Sequence, residues 1–189
     1  MKLVLMLGFV VCVAGCGTSS DSEISYRDSA SVSTPIASDS AMAMDSSHPE
    51  ENFIDTKNVS PEDLVAFALR WQHIPYLYAS ADPNRGFDCS GFIYFVFNHF
   101  NIDVPRSSVE FTEMGRLVSK EEARKADLIL FTGTDSLIQE VGHMGIVIDN
   151  SDSLRFIHSS SGKAQGVTIT ALNEHYIQRF VSVRRIFPG

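Results

Sequence analysis

Beyond residue 126 the chain carries five short apolar runs: Asp127 to Phe131, Met144 to Ile148, Leu154 to His158, Val167 to Thr170 and Ser182 to Phe187. Turn-forming segments interrupt them, among them Thr132-Gly133-Thr134-Asp135, Asp149-Asn150-Ser151-Asp152 and Ser159 to Gly166. Runs this short, rich in Ile, Val, Leu and Phe and bounded by turn residues, read as strands. The stretch before them reads as helix. Ser60-Pro61-Glu62-Asp63 offers an N-cap, a first-turn proline and two acids at the positive end of the dipole. Leu64, Val65, Ala68 and Trp71 mark one face, and Pro75 is expected to end that helix. A turn-rich loop from Tyr76 to Phe87 leads to a second helix, expected from Cys89 to about Phe100. Asp88 caps it, and Phe92, Ile93, Val96 and Phe100 share a face. Helices first and sequential strands afterwards predict an α+β fold, with N-terminal helices packed on an antiparallel sheet.

The first 55 residues belong to a different regime. Met1-Lys2 supplies a positive start, Leu3 to Ala14 is apolar, and Val13-Ala14-Gly15 leads into Cys16. This is the layout of a secretory signal. It is too short to span a membrane, which takes about 20 apolar residues. The small-small-Cys ending resembles a bacterial lipobox. That resemblance implies a signal over residues 1–15, thioether-linked diacylglycerol on Cys16, and a further acyl chain such as palmitate on the new N-terminus. Each buried CH₂ would contribute about 0.8 kcal/mol to membrane anchoring. Residues 16–55 are rich in Ser, Asp and Ala and poor in large apolar groups, which predicts a flexible tether. About 40 such residues span roughly 35 Å on average and on the order of 130 Å when stretched. Residues 56–189 then form the folded domain. The expected location is the bacterial cell envelope, with the domain outside the cytoplasm.

Charge and cysteine content exclude other classes. The net charge of −8 argues against nucleic acid, which needs clustered Lys and Arg. Of three cysteines, Cys12 lies within the signal and Cys16 at its end, so no disulfide scaffold forms. Cys89 is left unpaired in a chain expected in an oxidising compartment, which suggests that its sulfur reacts. A helix N-terminus favours a thiolate, and the dipole is expected to lower the thiol pKa. His143, just before the second strand, and His158, at the end of the third, would share a sheet face if those strands formed a hairpin. One imidazole then serves as base and the other orients it. A Cys-His-His set also suits zinc, but the long spacings lack the paired signature of a structural zinc site. His73, His99 and His175 read as surface or packing residues.

From about Ser60 to Phe187 the chain resembles the NlpC/P60 family of cell-wall cysteine peptidases. The resemblance follows a series of motifs in order. They are Pro75-Tyr76, Asp88-Cys89-Ser90-Gly91-Phe92, Val104-Pro105-Arg106-Ser107, Glu113-Met114-Gly115, Ala126-Asp127-Leu128, Gly142-His143-Met144-Gly145-Ile146, Phe156-Ile157-His158-Ser159 and Arg184-Arg185. It implies a papain-like core with Cys89 as nucleophile, His143 as base and His158 as orienting residue. The Cys89 backbone N–H and the Tyr76 hydroxyl would stabilise the oxyanion. No cofactor or metal is implied. The implied partners are peptidoglycan stem peptides and, through Cys16, a membrane; a monomer is expected. The closest likeness is to the lipoprotein branch that contains murein endopeptidases. The chain departs from the family pattern at Ala79-Ser80, where Gly-Gly is usual, at Ala126, where Gly is usual, and near Phe111-Thr112.

The lipobox reading makes a direct prediction. Cys16→Ser should accumulate as an uncleaved precursor that never gains acyl mass in intact-protein mass spectrometry. A soluble, normally processed product from that variant would overturn it.

Overall fold

The computed structural model describes residues 54–188, with the exception of Ser136. The signal, Cys16 and nearly all of the tether lie outside the described residues. Ile54, two residues ahead of the expected boundary, is buried in the core.

The first helix, α1, runs Pro61–Leu69, and the Ser60 hydroxyl accepts the Asp63 N–H at 3.0 Å. It stops well before Pro75. Sheet-edge pairing captures the following segment instead. His73 N–H donates to Val167 O at 2.8 Å, and Val167 N–H returns a bond to Ile74 O at 2.9 Å. His73 takes a left-handed φ of 71° to make that departure. A two-residue hairpin, β1 (Ala81–Asp82) and β2 (Gly86–Phe87), fills the loop ahead of the second helix. That helix, α2, spans Cys89–His99. Its fully buried face is Phe92, Ile93, Val96 and Phe97. Phe97 thus takes the place expected of Phe100, which becomes the C-cap. Gly91 is where β1 approaches the helix, since a methyl group there would run into the Ser80 carbonyl.

A 3₁₀ turn over Ser108–Glu113 and a short strand, β3 (Arg116–Val118), follow. The remaining strands are β4 (Leu128–Thr132), β5 (Val141–Asp149), β6 (Arg155–Ser160), β7 (Gly166–Ala171) and β8 (Phe180–Arg185), with a one-turn helix α3 (Glu174–Ile177) before β8. All five expected strands exist. The second extends at both ends and the third at its C-terminal end, so that His143 lies inside β5 rather than ahead of it, and His158 lies inside β6 rather than at its end. The last starts and ends two residues earlier than read. The sheet order is β3-β8-β4-β5-β6-β7, antiparallel at every pairing. This is the α+β arrangement expected.

Both faces of the sheet are covered. Leu128, Leu130, Met144, Ile146 and Ile157 pack with α1 and α2. Ile129, Phe131, Val147, Phe156 and Val183 pack on the other side with Tyr176 of α3. That double burial explains why β4 reads as a continuous apolar run rather than an alternation. One buried ion pair closes the sheet's outer half. The Arg185 guanidinium reaches both oxygens of Asp127, at 3.2 and 3.0 Å, and also donates to Glu122 O at 2.6 Å. Among the described residues no helix is long and apolar enough to cross a membrane.

Two of the departures from the family pattern share one backbone property. Ala79 and Ala126 both hold left-handed φ angles, 56° and 70°. A glycine takes that conformation without strain, whereas an L side chain costs about 1–2 kcal/mol there. Ala79 is exposed, so its methyl contributes little packing. Ala79→Gly should therefore stabilise the domain by about 0.5–1 kcal/mol in chemical denaturation. A loss of stability would show that the alanine is held by something other than backbone geometry.

Candidate active site

Cys89 is the first residue of α2, and the preceding residue decides how it is presented. Asp88 Oδ1 caps the helix by accepting the Gly91 N–H at 2.6 Å. The same carboxylate holds Arg106 in a bidentate pair, at 3.0 and 2.8 Å, while Arg106 Nη1 also donates to Ser90 Oγ at 3.0 Å. This side chain sits in the Pro-Arg-Ser motif, yet nothing in the local sequence says that it closes on Asp88 eighteen positions earlier.

Cys89 is the free cysteine of the described residues and is 8% exposed. Its Sγ faces Gly142 O at 3.8 Å. It opens into a cavity of about 500 Å³ lined by Tyr76, Tyr78, Arg106, Ser108 and Gly142 among others. Tyr76 is half-buried on that wall. Burial pushes its hydroxyl pKa up, and the nearby Cys89 and Asp88 add to the shift.

The thiol pKa moves opposite to the sequence expectation. Burial pushes the Cys89 thiol up, and the Asp88 carboxylate adds to it. The N–H groups of Ser90, Cys89 and Met144 pull the other way and do not prevail. The helix dipole is outweighed because the residue at the start of α2 is also largely buried, and because the cap that starts the helix is itself an anion.

The histidines sit on the sheet face away from α2. His143 is opposite Phe131 in the β4–β5 register, and His158 pairs with Thr168 of β7. The hairpin of β5 and β6 brings the rings together, with His143 Nε2 and His158 Nδ1 2.8 Å apart. Gly145 makes room for this, since a methyl there would come within 2.7 Å of the Phe156 ring and 3.2 Å of His158 Cβ. His158 Nε2 meets Thr170 Oγ1 at 2.9 Å. If Thr170 accepts from His158 Nε2–H, then His158 Nδ1 accepts from His143 Nε2–H, which leaves His143 Nδ1 as a base. The Tyr176 ring stands perpendicular to His158 at 5.4 Å. Burial drives the His143 pKa well down, and electrostatic interaction with His158, Arg179 and His175 adds to the effect. His158 is pushed down to about 3 by burial and then by Arg179, so it stays neutral across the ordinary pH range. The resting pair is thus a neutral thiol and a neutral imidazole.

The remaining histidines divide. His99 stacks on Phe67 at 3.8 Å, which is packing, and His73 is a backbone anchor. His175 instead meets Arg179 at 3.1 Å and lines a second cavity together with His143. Thr170, Tyr176 and Arg179 carry no motif, and only the folded sheet places them beside the histidines. Among the described residues no three His, Cys, Asp or Glu side chains converge to hold a metal ion.

A thiol at the start of α2 and a hydrogen-bonded histidine pair on β5 and β6 are the chemical groups that a nucleophile, base and orienter set requires. The chain belongs to the NlpC/P60 family, whose family model matches residues 72–185. It is 39% identical over 104 residues to a probable endopeptidase NlpC homolog of Haemophilus influenzae, a match that takes in 54% of this chain and 50% of that one. It thus spans half the length of that relative. It is 31% identical over 153 residues to the murein DD-endopeptidase MepS/murein LD-carboxypeptidase of Escherichia coli, covering 80% of this chain and 76% of that one. A crystal structure of an NlpC/P60 family protein from Bacillus cereus superposes with a TM-score of 0.61 at 30% identity, over 73% of this chain and 43% of that one.

The electrostatics of Cys89 yield a measurable prediction. Alkylation by iodoacetamide should rise with pH to a midpoint above that of a free thiol, near 8.5. Arg106→Met should move the midpoint higher still, because the Asp88 charge beside the sulfur is then no longer offset. A wild-type midpoint at or below that of free cysteine would show that the helix N-terminus prevails over burial.

Proposed function

We propose that this chain is a lipid-anchored peptidoglycan hydrolase that cleaves an amide of the wall stem peptide through a thioester on Cys89. The observation that carries the reading is the hydrogen-bonded line from His143 through His158 to Thr170, set beside the Cys89 strand contact. The murein endopeptidase named among the relatives supports the substrate class. Residues 1–15 serve as the signal, and residues 16–55, with the lipid on Cys16, tether the domain outside the cytoplasm; these parts rest on the sequence.

In this reading Cys89 Sγ attacks the scissile carbonyl carbon while its proton passes to His143 Nδ1. Negative charge collects on the carbonyl oxygen and is met by the Cys89 N–H and the Tyr76 hydroxyl. The C–N bond then breaks, the imidazolium returns its proton to the departing amine, and a thioester remains. Water, deprotonated by His143, releases the acid and restores the thiol. His158 holds the tautomer of His143 and stays neutral throughout. Two amide classes fit: γ-D-glutamyl–diamino acid bonds within a stem, and D-alanyl–diamino acid bonds between stems.

Mass spectrometry of wall fragments incubated with the purified protein tests this reading and names the bond. The expected result is a pair of products that differ from the substrate by one water. Absence of any product, with Cys89 unreactive in a folded protein, would overturn it in favour of a binding module. The division of labour is open to kinetics on one defined fragment. Cys89→Ala should abolish turnover, and His143→Ala should cost roughly 10²–10⁴-fold. His158→Gln, which still offers a hydrogen bond, should cost less. Equal or greater damage from His158→Gln would exchange the assigned roles.

A further inference from the structure

The domain has two cavities at the start of β5, and the neighbours Gly142 and His143 line one each. Cys89 opens into the one already described; His143 lines the other. This second cavity encloses about 710 Å³ between β5, β7, α3 and the loop over residues 161–165. The ionisable side chains of its lining are all basic. Arg179, Lys163 and His175 face it, and no Asp or Glu lines it, although the chain carries 23 acidic residues against 15 Lys and Arg.

Arg179 is built into the wall of this cavity. Its Nε shares Thr132 O and Gly133 O at 3.2 Å each, and Nη2 donates to Thr132 O at 2.6 Å. Nη1 meets His175 Nε2 at 3.1 Å. A guanidinium has five N–H bonds. With one used on Nε, one on Nη1 and one on Nη2, one remains on each terminal nitrogen. No carboxylate pairs with Arg179 among the described residues. An arginine fixed by carbonyl oxygens, with its charge unmatched and two donors spare, is prepared for a planar anion.

We infer that this cavity receives the leaving group, and that Arg179, assisted by Lys163 and His175, selects leaving groups that carry a free carboxylate. The inference rests on the proposed hydrolase reading and deepens it. A base that takes the thiol proton must hand it to the departing amine, so that amine lies on the imidazole side of the sulfur. The cavity lined by His143 is on that side; the acyl portion is left to the cavity lined by Tyr76 and Arg106. A diamino acid released through one amine carries a carboxylate a few bonds away, and Arg179 lines the same cavity as His143. The charge of Arg179 is already felt at both histidines, where it holds their pKa values down. A carboxylate bound there offsets that charge at the moment His143 has to accept a proton.

The test compares two synthetic peptides that are identical through the scissile amide. In one the leaving diamino residue ends in a free carboxylate; in the other that group is a carboxamide. The purified full-length protein should show a kcat/KM ratio on the order of tenfold to a hundredfold in favour of the carboxylate, as expected for a hydrogen bond between charged partners. Arg179→Gln should collapse that ratio towards one. Because Arg179 also ties down Thr132 and Gly133, a second variant is needed. Lys163→Gln, on an exposed loop, should lower the ratio severalfold with the unfolding transition unchanged. A wild-type ratio near one, or a ratio that both variants leave untouched, overturns the inference while the hydrolase reading stands. Failure to cleave either peptide, together with intact wall fragments, overturns the hydrolase reading and this inference with it.

Discussion

One carboxylate organises the nucleophile. Asp88 ends the β2 segment, caps α2 through the Gly91 N–H, and holds Arg106 by two bonds. The cap decides where α2 begins and therefore that Cys89 occupies its first position. The Arg106 pair ties the segment before the 3₁₀ turn to the same point, so the wall of the nucleophile cavity and the nucleophile are fixed together. Half-buried ion pairs of this kind contribute little net stability by themselves, but removing one partner strands a charge. The local architecture is therefore specified more by the cost of breaking the pair than by the gain of making it.

The sheet supplies the second half of the site by burial. The β5–β6 hairpin aligns two histidines on a face that is otherwise Phe131, Phe156 and Tyr176. Aromatic walls exclude water, which keeps both imidazoles neutral and makes their mutual hydrogen bond directional. Gly145 is the small residue that allows the rings to approach, and Thr170 ends the line with a hydroxyl. Burial also governs Cys89 at the start of α2. The site is one in which charge appears only when substrate demands it.

Much of this was legible in the sequence. Ser60 and Asp88 announced both helix starts through short-range capping. The apolar runs announced five strands, and the hairpin on which a shared face for His143 and His158 depended is present as β5 and β6. What escaped reading depends on contacts across the fold. The end of α1 is decided by bonds from His73 and Ile74 to Val167. The short strand β3 exists because β8 offers it an edge. Arg106 reaches Asp88, and Arg179 reaches the histidines, only after the sheet has formed. The thiol pKa was misjudged for a related reason, since a helix dipole is a local property and burial is not.

The neutral resting thiol has a further bearing on the life of the protein. Peroxides and disulfides react with thiolates and scarcely with thiols, so oxidation to sulfenic acid and beyond starts from the charged form. A sulfur that is 8% exposed, capped by an anion and kept protonated offers oxidants little to attack. The features that make Cys89 a reluctant nucleophile between turnovers thus also act as its chemical preservative, and shelf life and catalytic readiness are set by the same few atoms around Asp88.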